Sequence, residues 1–177
     1  MMRTSIASAA LCLGLLSACS SQAPLAPYSL AAAVVAPTKR PFAVSVDAPT
    51  AAANLDSDRI LVKDHGYPLV LADARWPQAL PAMVAARVGE SLASPEGPPR
   101  LRLALAIQRF ELIAERKTVV VAIDATALDA TDGRPLRHRA FSASVSVPTT
   151  KPEDVVAGLN RAFAGLQTRI AAFAYDP

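Results

Sequence analysis

Cysteine is missing from this chain beyond position 19. Cys12 and Cys19 both fall in the first twenty residues, so the rest holds no disulfide framework, no thiolate zinc site and no cysteine nucleophile. Aromatic residues make up only 5%, too few for a platform that stacks nucleic-acid bases. Charge is also scarce. Charged residues are 19% of the total and the formal net charge is +3, an excess too small and scattered to track a phosphate backbone. The two histidines, His65 and His138, have no partner at metal-ligand spacing, and both read as solvated surface. There is no Gly-x-Ser-x-Gly elbow, phosphate loop or dinucleotide fingerprint. Asp124, Asp129 and Asp132 read as turn chemistry rather than an acid pair or calcium loop. These absences lead us to expect no catalytic residue, no metal and no diffusible cofactor.

Hydrophobic residues reach 52% of the 177, but 37 of them are alanine, which buries little area, so the core is modest. One domain is the natural expectation at this length. Fifteen prolines against seven glycines suggest punctuated loops.

The N-terminus reads as an address. Arg3 supplies a positive charge, and residues 6–16 form an apolar run of eleven residues. A bilayer span needs about 20 residues, so this is a secretory signal and not a membrane helix. The run ends in Leu16-Ser17-Ala18-Cys19, the pattern of a bacterial lipobox. The Cys19 thiol accepts a diacylglyceryl group, small neighbours admit the peptidase, and the freed amine is acylated in turn, with palmitate among the expected chains. Covalent lipid on Cys19 is thus the one attached group expected. Several acyl chains on one residue anchor a protein stably. Ser20, where an inner-membrane retention signal would place aspartate, points to the periplasmic face of the outer membrane.

The chain divides into a signal peptide (1–18), a lipid-anchored tether (19–40) and a domain (41–177). The tether, with Pro24, Pro27 and Pro37, reaches at most about 70 Å when extended. In the domain, residues 42–46 alternate as a first strand, 59–62 as a second, and 69–71 as a third after the turn residues His65-Gly66-Tyr67-Pro68. Residues 47–58 read as loop or weak helix. Trp76, Leu80, Met83, Val84, Val88 and Leu92 recur at helical spacing and predict a helix over 76–93. The apolar phase over 101–112 slips by one residue, which predicts a bulge near Gln108-Arg109. Strands over 119–125 and 137–147 follow, joined through Asp132-Gly133. In the last strand Phe141, Ala143, Val145 and Val147 face one way; Ser142, Ser144 and Ser146 face the other, as open surface or a flat contact. Thr150-Lys151-Pro152-Glu153 resembles a capping box before a helix striped by Val155, Leu159, Phe163, Leu166, Ile170 and Phe173. The expected fold is α+β: a two-layer sandwich, a mainly antiparallel sheet carrying two helices on one face.

Several short segments resemble the ABC-type transport auxiliary lipoproteins, the group containing the paraquat-inducible protein C-like lipoproteins. They are Tyr28-Ser29-Leu30, the strand over 42–46, Leu55-Asp56-Ser57-Asp58-Arg59-Ile60-Leu61-Val62, Ala74-Arg75-Trp76-Pro77-Gln78-Ala79-Leu80 and the strand over 101–110. The Arg-Trp-x-x-x-Leu segment is the most telling. Pro77-Gln78-Ala79 departs from the family habit of an acidic residue and a proline just before the leucine. The resemblance implies a fold akin to the N-terminal domain of TolB. It also implies a non-enzymatic subunit that works with an ABC transporter and an Mce-domain membrane protein to move phospholipids or related hydrophobic molecules between two membranes.

A docking subunit of that kind calls for little free cavity and an exposed protein-binding surface, and allows homo-oligomers. A periplasmic lipid-binding carrier is the alternative, and calls for an aliphatic pocket of roughly 300 Å³ or more. Candidate partner contacts are Arg75, Trp76, Ser142, Ser144 and Ser146. Trp76 also reads as a core anchor.

Overall fold

Three long neighbouring strands frame the molecule, β6 (Leu101–Ile113), β7 (Thr118–Asp129) and β8 (Pro135–Ser146), with apolar residues at every second position along β6, β7 and the second half of β8. A computed structural model describes residues 26–31 and 40–176. The expected signal peptide, Cys19 and residues 20–25 and 32–39 of the expected tether lie outside the described residues. Upstream come β1 (Ala26–Pro27), β2 (Val44–Val46), β3 (Thr50–Ala51), β4 (Arg59–Asp64), β5 (Tyr67–Arg75) and the helix α1 (Leu80–Leu92); α2 (Pro152–Tyr175) closes the chain. All eight strands join one sheet in the order β1-β5-β4-β6-β7-β8, with β2 and β3 beside the first half of β6. The three long hairpin pairings are antiparallel; β1 on β5, and β2, β3 and β4 on β6, are parallel.

The expected α+β layering is present. Both helices pack on one face of a mostly antiparallel sheet. Phe110 of β6 meets Phe163 of α2 with ring centroids 5.8 Å apart, and Phe141 of β8 meets Phe173 at 5.7 Å, both edge-on. The predicted stripe of α2 is buried throughout, as are all six apolar positions expected on the first helix. Gly158 lets α2 approach the sheet. A Cβ there would collide with the Val147 side chain and press on Val119 at 3.1 Å. The predicted bulge is real, since the β6–β7 register shifts between Ile107 and Arg109.

Five local expectations change. The first helix begins at Leu80 rather than Trp76. Pro81 lacks an N–H and its ring collides with the carbonyl four residues back, so it belongs in a first turn. The Leu80 N–H is instead taken by the Ser57 carbonyl (2.9 Å), and Trp76 N–H by the Asp58 carbonyl (2.7 Å). The capping box does not form: Lys151 is the N-cap without a side-chain bond. Thr149 Oγ1 accepts the Lys151 N–H and donates to Asp154. The first strand starts at Val44, and residues 47–58 contain the short β3. The third strand runs from Tyr67, because His65 and Gly66 alone turn the hairpin, both at positive φ (47° and 87°).

Residues 28–31 pack on the domain. Leu30 is 1% exposed within the core. Tyr28 N–H donates to the Arg75 carbonyl (3.0 Å), and Asn160 on α2 accepts the Ala31 N–H (2.9 Å) while donating to the Ser29 carbonyl (3.3 Å). The globular part therefore includes a stretch upstream of residue 41.

Candidate docking surface

The face of the sheet away from the helices carries no covering layer among the described residues. Small side chains dominate it. Ala104 and Ala106 of β6 pair with Thr126 and Asp124 of β7, and Ala122 and Val120 pair with Ser142 and Ser144 of β8. Ser142, Ser144 and Ser146 are exposed in a row, as the alternation predicted. Charges on this face are largely matched at home. Arg102 holds Asp47 through two bonds (3.0 and 2.8 Å), and that carboxylate holds the guanidinium more firmly protonated. Arg109 donates to Glu111 (2.7 Å), and Gln108 donates to Asp124 (3.0 Å). A flat face with short side chains and internally neutralised charges loses little side-chain entropy when covered.

The other predicted contact residues lie elsewhere. Arg75 ends β5, separated from β8 by β4, β6 and β7; four strand steps of about 4.8 Å put roughly 19 Å between them. Its guanidinium is 3.9 Å from Asp58, half-exposed. Trp76 is 1% exposed, edge-on to Phe110 at a centroid distance of 6.0 Å. Its ring serves as a core anchor and offers no side-chain surface to a partner. The five residues therefore form no single site; only the three serines share a surface.

Two features escaped the sequence reading. Of four well-exposed large apolar residues among those described, Tyr67, Leu69 and Val70 lie within four positions on β5; Leu136 is the fourth. Pro68, Leu69 and Val70, with Leu61, line an open groove of about 680 Å³ beside Asn54 and Ser57. The signal was present: residues 67–71 are apolar without alternation, unlike any half-buried strand. The second feature is a part-buried pair of hydrogen bonds that ties α2 to α1 and α1 to the segment at Leu30. Gln167 of α2 donates to the Arg87 carbonyl (2.9 Å), and the Arg87 guanidinium donates to the Leu30 carbonyl (2.8 Å).

Asp129 and Asp132 serve their turn as expected. Asp129 accepts the Thr131 N–H (2.8 Å) and Asp132 the Arg134 N–H (2.9 Å). The Thr131 N–H is the main cause that holds the Asp129 carboxyl below its ordinary range. Glu115, beside the β4–β5 turn, is lowered chiefly by its own backbone N–H, with help from His65 and Arg116. Asp124 lies in mid-strand on the open face and takes no part in the turn. No group of three or more metal-ligating side chains occurs among the described residues.

A two-layer α+β domain with both helices on one face of the sheet is the class this architecture describes, and sequence comparison places it more closely. Residues 28–171 match the ABC-type transport auxiliary lipoprotein component family, and the chain belongs to that family. The match begins at Tyr28, where the docked segment enters the core. No curated protein matches the chain. Among solved structures, protein XCC0632 from Xanthomonas campestris superposes with a TM-score of 0.76 at 22% identity, covering 85% of this chain and 95% of that one. A second, an uncharacterized protein, gives 0.68 at 13% identity over 82% and 95%. Both share the fold.

Proposed function

We propose that this protein is a non-catalytic docking subunit of an ABC/Mce-type transport system, anchored through lipidated Cys19 to the periplasmic face of the outer membrane. The system moves phospholipids or other hydrophobic molecules between the two membranes. The observation that carries the reading is the family match over residues 28–171. The open sheet face supports it, with the exposed serines of β8 as the contact surface for the Mce-domain partner. The lipobox Leu16-Ser17-Ala18-Cys19 supports the anchor. Among the described residues no helix is long and apolar enough to cross a membrane.

Affinity purification of the tagged, lipidated protein from gently solubilised envelopes, followed by mass spectrometry, is the test. An Mce-domain protein with ABC components is the expected result. The groove of about 680 Å³ at Leu61, Leu69 and Val70 favours a second reading, a lipid carrier. Stoichiometric lipid without those partners would establish the carrier and overturn docking. Bulky Ser144→Arg should lower partner recovery while leaving the fold intact; undiminished recovery would remove β8 from the interface.

A further inference from the structure

The exposed apolar end of β5 and the path of the chain entering β1 converge. β1 runs parallel to β5, with Ala26 opposite Ala74 and Pro27 opposite Arg75. Parallel pairing means that the chain reaches Ala26 from the direction of the β4–β5 turn. Seven positions separate Cys19 from Ala26, and seven separate Tyr67 from Ala74. A seven-residue leash reaches at most about 25 Å. The register shift in β5 shortens its run, and β4 crosses the same stretch from Arg59 to Asp64 in five positions, about 17 Å at about 3.3 Å per residue.

The opposite end of the molecule is farther. Arg59 pairs with Arg75, and Leu61 pairs with Glu111, so β1 stands level with the region of Arg109. From there, eight strand positions to Leu101 span about 27 Å, and the loop after Asp129 projects beyond. The leash is long enough for the turn end and too short for the other.

The turn end is also suited to a lipid surface. Tyr67 is 71% exposed, Leu69 51% and Val70 42%. A tyrosine with an apolar body and a polar tip, flanked by aliphatic residues, fits the headgroup boundary. Nearby charges are mixed: Lys63, Arg109 and Arg116 line one depression with Glu115, and Arg109 is already paired with Glu111. Apolar contact, not charge, is therefore the holding force. The geometry points to the β4–β5 hairpin, through Tyr67, Leu69 and Val70, as the surface by which the domain rests on the membrane that carries its anchor. This rests on lipidation of Cys19. It leaves the serine face of β8, at the far edge of the sheet, free for a protein partner.

Spin labels on the full-length lipidated protein test this. Cys12 leaves with the signal and Cys19 is acylated, so an introduced cysteine is the one reactive thiol. Leu69→Cys, Tyr67→Cys and Thr131→Cys proteins would be placed in phosphatidylethanolamine/phosphatidylglycerol vesicles, and acyl mass on Cys19 measured first. The expected result is an oxygen-over-nickel accessibility several-fold higher at 69 and 67 than at 131. Equal, water-like accessibility at all three positions would overturn the proposal. Labels at 69 shielded from both reagents, with spin–spin broadening lost on dilution by unlabelled protein, would assign the hairpin to a second copy and overturn it too. Absence of acyl mass would bring down the anchoring reading itself, a failure visible before any label is read.

Discussion

At the scale of single residues, Trp76 and Gly158 show how one position sets a local distance. The Trp76 ring closes the space between β5 and Phe110, at 1% exposure. Its replacement by alanine leaves a large cavity, so Trp76→Ala should cost about 3–5 kcal/mol in urea unfolding. Gly158→Ala forces a Cβ into Val147, and should cost about 1–3 kcal/mol by overpacking. Asp129 offers a test by pH. Its folded carboxyl is held below the ordinary value, chiefly by the Thr131 N–H. A depressed carboxylate stabilises the fold above its unfolded pKa, and that stability is lost as pH falls through the folded value. In an NMR titration Asp129 should protonate later than ordinary aspartates as acid is added, and Thr131→Pro, which removes the N–H, should bring it back toward them.

At the scale of elements, strands and helices were legible wherever one face is buried and the other wet. The α2 stripe, the β6 bulge and the alternation of β8 follow directly from period and phase. Where an element's end depends on a non-local partner, the sequence pattern misleads. The start of α1 is decided by carbonyls of Ser57 and Asp58, some twenty residues upstream, together with Pro81. The docking of residues 28–31 depends on Asn160 and Arg87, residues that look like ordinary helix surface. Leu30→Ala should destabilise by about 2–5 kcal/mol, and Asn160→Ala should speed hydrogen exchange at Ala31 without altering that at β7.

At the scale of the whole molecule, the domain extends upstream of the boundary at residue 41. A chain beginning at Pro41 loses β1 and the buried Leu30, so it should unfold at lower urea than a chain beginning at Ala26; equal midpoints would show the docked segment to be dispensable. The candidate surface was legible only in part. Alternation identified the serine row of β8. It could not show that Arg75 lies roughly 19 Å away across three strands. Nor could it separate a buried tryptophan from an exposed one, because both begin a helix-like stripe.

The amino-acid sequence by itself determined the features that are local in the chain. These are the alternation of the long strands, the stripe of α2, the turn at Asp129–Gly133 and the short motifs of the family. Each depends on residues a few positions apart, which chain connectivity alone brings together. Only the tertiary structure decided that β5 lies between β1 and β4, that residues 28–31 pack into the core, and that Tyr67, Leu69 and Val70 stand exposed. Those outcomes depend on the order of strands in the sheet. Parallel pairings such as β1 on β5 and β4 on β6 join segments that no short-range pattern in the chain links.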